Sequence, residues 1–167
     1  MDEGFSRPAT LEDLKKVIQS LTAHHVDYLL IGGYALAAHG LIRATTEIDL
    51  LVRATKEDGE KIIKAMLILP DQSAKNIDLA WFQERDTIRL ADEVVVDIMF
   101  NAAGHTYDDL KGHMEIIDLD GLPIRTLNLE GLLLTKQTLR DKDAPDRAAL
   151  LKALEFLRSA RQKHEKD

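Results

Sequence analysis

The chain has 167 residues, 45% hydrophobic and 31% charged, which is ordinary for a soluble globular protein and leaves room for one domain with a genuine core. It contains no cysteine, which excludes disulfides, thiolate zinc sites and cysteine nucleophiles; with no signal-type apolar stretch after Met1 and no apolar run near the roughly 18 residues of a membrane span, the expectation is a cytoplasmic protein with no membrane partner. The net charge of −7 argues against a generic nucleic-acid binder, whose basic footprint dominates its surface.

In chain order, Thr10 with Asp13 forms a capping-box start, and Leu11, Leu14, Val17, Ile18 and Leu21 then repeat at helical spacing. Val26 to Ile31 reads as a short buried strand delivered to the Gly32-Gly33 turn, and Tyr34 to His39 as a helix with Gly40 just past its end. Glu47 to Val52 is a second strand. Thr55 with Asp58 opens a helix striped by Ile62, Ile63, Met66 and Leu67 and stopped by Pro70. After a loop from Asp71 to Asn76, strands are expected at Thr87 to Leu90 and Val94 to Phe100, with a weaker one at Ile77 to Phe82. Asp120-Gly121 reads as a hairpin turn between IIDL and LPIRTL. Asn128 caps a helix through Leu129, Leu132, Leu133 and Leu139, and Asp143 with Asp146 frames a last helix carrying Leu150, Leu151, Leu154 and Leu157, with a tail expected to fray after Arg158. This order gives one α/β (α+β) domain over residues 1–167, a mixed sheet flanked by helices, with its core at about 26–127 and C-terminal helices at about 128–160.

Residues two apart on a strand share a face, so Glu47 and Asp49 project together while Ile48 and Leu50 face the other way. Their spacing, roughly 7 Å along the strand, is one that side chains close around a metal pair about 3.5–4 Å apart. Taken alone, two such acids are as easily the solvated edge of a half-exposed strand. Asp97 changes that balance, because it interrupts the apolar run VVVDIMF, where a carboxylate needs a partner. That partner is either an arginine, Arg43 or Arg89, or a divalent cation shared by all three acids. Oxygen ligands without nearby histidine or cysteine point to magnesium or manganese. Gly32-Gly33, where a strand hands over to a helix, leaves backbone N–H groups for an anion. Neither G-x-G-x-x-G nor G-x-x-x-x-G-K-[ST] occurs, which argues against a Rossmann dehydrogenase and a P-loop NTPase.

These pieces resemble the nucleotidyltransferase superfamily that includes DNA polymerase beta: Gly32-Gly33, a thirteen-residue spacer, Glu47-Ile48-Asp49, then Asp97. More narrowly, GGYALAAHG, RATTEIDL and LLLTKQTLRDKDAPD look like the abortive-infection toxin (AbiEii-type) nucleotidyltransferases and their small relatives. The resemblance runs from about Tyr28 to Leu154. It implies a minimal nucleotidyltransferase fold, with Glu47, Asp49 and Asp97 as catalytic metal ligands for Mg2+ or Mn2+. It further implies nucleotide binding at Gly32, Gly33, Arg43, Thr45, Lys136 and Arg140, and deprotonation of the acceptor hydroxyl assisted by Asp97. Glu47 stands where the family usually has Asp, one methylene longer.

The resulting expectation is transfer of an NMP from an NTP to a hydroxyl of tRNA, a protein or a small molecule, and the resemblance adds membership of a toxin-antitoxin pair with a partner protein encoded elsewhere. The alternative is a catalytically silent binding or antitoxin-like module in which Glu47 marks a decayed metal site. A relative of the aminoglycoside nucleotidyltransferases, drawing a cationic acceptor to an acidic body, is a third reading. From Lys136 to Lys166 nine Lys or Arg face five Asp or Glu, so this stretch carries +4 and the remainder −11. Those cations either meet a phosphate or only solvate the last two helices. His39 reads as a helix-end residue favoured by the dipole, and His24, His25, His105 and His113 as structural or surface residues. Asp143 and Asp146 read equally well as a simple helix cap, and Trp81 and Phe82 as core or pocket wall.

Overall fold

The computed structural model describes residues 5–41, 45–138 and 140–166. Its elements run α1 (Leu11–Ala23), β1 (Leu29–Ile31), α2 (Gly32–Ala38), β2 (Glu47–Leu51), α3 (Lys56–Met66), α4 (Trp81–Glu84), β3 (Ile88–Ala91), β4 (Val95–Met99), α5 (Tyr107–Leu110), β5 (Met114–Leu119), β6 (Leu122–Leu127), α6 (Leu129–Lys136) and α7 (Ala144–Lys166). The six strands form one sheet in the order β3-β4-β2-β1-β6-β5. β2 runs parallel to β4 and antiparallel to β1, which is in turn parallel to β6, so the sheet is mixed and the fold is α/β as expected.

Local chemistry sets the helix starts. Thr10 Oγ1 accepts from the Asp13 N–H while the Asp13 carboxylate accepts from the Thr10 N–H, a reciprocal capping box. Thr55 and Asn128 cap α3 and α6 without the reciprocal bond, their side chains accepting from the Asp58 and Gly131 amides at 3.0 and 2.8 Å. α1 packs against α3, with Ser20 Oγ donating to the Ala65 carbonyl at 2.6 Å. Asp120 and Gly121 both take positive φ, 57° and 90°, the type I′ geometry whose twist suits the β5–β6 hairpin.

Four expectations are corrected. Residues 77–82 are not a strand: Asp78 accepts from the Ala80 amide, closing a turn that leads into α4, and Phe82 then buries its ring edge-on to Phe100 with centroids 5.5 Å apart. α2 begins at Gly32 rather than Tyr34, because Gly32 itself turns the chain at φ +76°. α6 ends at Lys136, with Gln137 leaving helical backbone and Arg147 Nη1 donating to the Lys136 and Thr138 carbonyls; Leu139, assigned to this helix from its spacing, lies outside the described residues. The residues after Arg158, expected as a tail outside the helix, are helical: α7 continues to Lys166, carried by Ala, Leu, Glu, Lys and Arg with no Gly or Pro after its first turn. Among the described residues no helix is long and apolar enough to cross a membrane.

Candidate active site

On β2 Ile48 and Leu50 are buried on one face, while Glu47 and Asp49 stand half-buried on the other, which ends in the buried Leu51. β4 lies beside it in parallel register with Asp49 opposite Asp97, so these neighbouring strands place both carboxylates at the same level of one sheet face. Oxygens of Glu47, Asp49 and Asp97 all fall within 4.8 Å of one another. The three acids assigned from sequence are therefore brought together.

They border a cavity of about 500 Å³. Its lining joins the carboxylate face, Gly32, Gly33 and Thr45 to Lys136, Thr138, Arg140, Lys142 and Asp143 from the end of α6 and the segment after it. Every described residue in the nucleotide-binding set read from sequence thus lines one space, and Arg43 lies outside the described residues. The glycines have a steric role that the strand-to-helix reading missed. A Cβ on Gly32 would sit 2.2 Å from Asp49 Oδ2, and one on Gly33 would sit 2.5 Å from Thr45 Oγ1. Any larger residue would displace a site side chain.

The electrostatics follow from packing acids together. Burial, followed by the neighbouring Glu47 and Asp97 charges, pushes the Asp49 carboxyl up to about 7. Glu47 is raised for the same two reasons, burial first and then Asp97. Arg89, in register with Asp97 on β3, answers part of this charge: its Nε and Nη2 donate to the two Asp97 oxygens at 3.0 Å each, and Nη2 also reaches Glu47 Oε2 at 2.9 Å. Of the two arginines named as partners of Asp97, Arg89 takes that place. Among the described residues no cation pairs directly with Asp49.

Asp143 is the residue that sequence reasoning undervalued. It is more than a helix cap: its buried carboxylate meets Lys136 Nζ at 3.5 Å and Arg140 Nε at 3.0 Å and accepts from Thr138 Oγ1. Burial pushes its carboxyl up, but the Thr138 hydrogen bond and the Lys136 and Arg140 charges outweigh that and hold it below the usual range. Asp146 gives Lys136 a second contact at 3.2 Å. Helical spacing could not have signalled this cluster, because α6 ends at Lys136 and Arg140 and Asp143 lie on the segment after it. Replacing Asp143 by Ala removes the centre of this network and is expected to lower stability in urea by about 3 kcal/mol, the usual cost of breaking a buried pair.

His39 Nε2 donates to the Leu127 carbonyl at 2.7 Å and so tethers the end of α2 to β6. His24 is bonded to the Ser20 carbonyl, and neither ring faces the cavity.

Neither a family model nor a curated protein matches the chain. Among solved structures it is similar to a Thermotoga maritima protein described as a "putative nucleotidyltransferase", with a TM-score of 0.53, 18% identity and 92% of each chain covered. At that identity the likeness concerns the backbone alone, and the mixed α/β architecture here is a nucleotidyltransferase-like fold.

Proposed function

We propose that the chain is a metal-dependent nucleotidyltransferase that moves an NMP from an NTP to an acceptor hydroxyl. The observation that carries this reading is the convergence of Glu47, Asp49 and Asp97 beside the Gly32 turn, in one cavity with Lys136 and Arg140. A set of three carboxylates with no nitrogen or sulfur donor fits a hard divalent ion, Mg2+ or Mn2+. When bound, such an ion supplies charge stabilisation to the transferring phosphoryl group and lowers the pKa of a coordinated hydroxyl.

The chain's own residues supply the rest. Lys136 and Arg140, lining the same cavity, offer cations to the phosphates, and Gly32 and Gly33 keep the space beside Asp49 and Thr45 free of side chains. Asp97 takes the proton of the acceptor hydroxyl. The acceptor oxygen forms a bond to the α-phosphorus, the bond from that phosphorus to the bridging oxygen breaks, and pyrophosphate leaves with the electron pair. The acceptor is a hydroxyl of tRNA, a protein or a small molecule. Membership of a toxin-antitoxin pair rests on the sequence pieces GGYALAAHG, RATTEIDL and LLLTKQTLRDKDAPD.

The test supplies each labelled NTP with Mg2+ or Mn2+ and a panel of tRNAs, proteins and aminoglycosides. Label transfer that vanishes in EDTA and in Asp97→Asn is expected. If calorimetry detects neither divalent ion nor NTP bound to the wild type, the silent-module reading replaces this one.

A further inference from the structure

The guanidinium of Arg89 stands where an ion shared by Asp97 and Glu47 would have to bind. Its two nitrogens engage both oxygens of Asp97 and one of Glu47 at 2.9–3.0 Å, so it satisfies the acceptors that a divalent ion would use.

Two further features separate Arg89 from an ordinary structural ion pair. Its side chain is 63% exposed while that of Asp97 is 8% exposed, so the cation can leave toward water without disturbing the core, whereas the acid cannot follow. Among the described residues, Lys136, Arg140 and Lys142 also line the cavity but make no direct pair with the three acids: Lys136 is held by Asp143 and Asp146, and Arg140 by Asp143. Among the described residues, Arg89 is therefore the one cation that directly neutralises the cluster.

We propose that Arg89 is a tethered counter-ion that competes with the divalent ion: it holds the carboxylate cluster together in the metal-free protein and must swing away before metal binds. This rests on the reading of the three acids as metal ligands. It assigns to a residue outside that ligand set control over when the site is loaded. Because an intramolecular cation is always present, metal binding requires displacement as well as coordination, and the apparent affinity is lowered by the fraction of protein in the latched state. That makes the site responsive to any ligand that offers Arg89 a second anionic partner, such as a triphosphate entering the same cavity.

The experiment measures Mn2+ binding without nucleotide, by titration calorimetry and by the free-ion signal in electron paramagnetic resonance, for wild type, Arg89→Gln and Arg89→Lys. Melting temperatures in EDTA and in saturating Mn2+ are recorded for each. The expected result is at least tenfold tighter Mn2+ binding by Arg89→Gln, with Arg89→Lys between it and wild type because a point charge cannot form the fork. Arg89→Gln should also melt lower than wild type in EDTA and gain more on adding Mn2+. Tighter binding by Arg89→Gln while wild type binds nothing measurable supports the latch in its strongest form. Equal or weaker binding by Arg89→Gln, with wild type binding normally, overturns the latch and leaves the metal site standing. Absence of binding in all three proteins overturns both.

Discussion

Asp49→Asn is expected to abolish nucleotidyl transfer while making the metal-free protein more stable at neutral pH. Asp49 carries a carboxyl pushed from 3.8 to about 7 by burial and by Glu47 and Asp97, so the folded protein keeps its proton over a range in which the unfolded chain has lost it. The sign follows. A folded pKa above the unfolded one means that this group's stability contribution is fully present below pH 4 and is lost as pH rises through about 7. A three-unit difference corresponds to about 4 kcal/mol at most; because the carboxylate faces a water-accessible cavity, about 2 kcal/mol is the working expectation. The asparagine keeps the shape without the charge. Urea titrations in EDTA should give similar stabilities for both proteins near pH 4 and a more stable variant at pH 8, the difference reporting Asp49 together with its coupling to Glu47 and Asp97. Losing a direct metal ligand should cost activity more than about 100-fold, since groups one shell further out already cost 10- to 100-fold. Adding Mn2+ at pH 8 should raise the wild-type melting temperature and leave that of the variant nearly unchanged. A variant less stable than wild type at pH 8 would mean that the carboxylate is not strained by its neighbours.

The legible part of this chain was the part governed by short-range rules. Thr10, Thr55 and Asn128 each announced a helix start, and the alternation of Glu47-Ile48-Asp49 gave both the strand and the face on which the acids stand. Asp97 was legible through its cost: a carboxylate amid six apolar residues had to meet a cation or a metal, and it meets Arg89. What stayed hidden depends on which elements become neighbours. Nothing in the local pattern pairs β2 with β4 in register, so the alignment of Asp49 with Asp97 emerged only with the sheet. The Asp143 cluster is likewise tertiary, formed where α6 ends and α7 begins, and its residues alone read as a cap. Residues 77–82 had strand-like composition, yet one Asx turn at Asp78 and the burial of Phe82 decided otherwise.

Gly32→Ala is expected to be the most damaging single-methyl change in the site, and Gly40→Ala supplies its control. Both glycines hold positive φ, 76° and 79°, so in either place alanine carries a left-handed backbone cost of about 1 kcal/mol. They differ in what the methyl meets. At Gly40 nothing lies within 4 Å, whereas at Gly32 the new carbon would sit 2.2 Å from Asp49 Oδ2 and 3.0 Å from Asp49 Cγ. That overlap cannot persist, and Asp49, which points into the cavity from a buried strand, is the group that must move. Gly40→Ala should therefore lose about 1 kcal/mol in urea and keep its Mn2+ affinity, while Gly32→Ala should lose about 2–4 kcal/mol and bind Mn2+ at least tenfold more weakly. The gap between the two variants measures the contact between the glycine turn and the metal-facing carboxylate, free of the backbone term they share. If both lose stability equally and both retain Mn2+ binding, that close approach does not shape the site, and Gly32 is present for its φ alone.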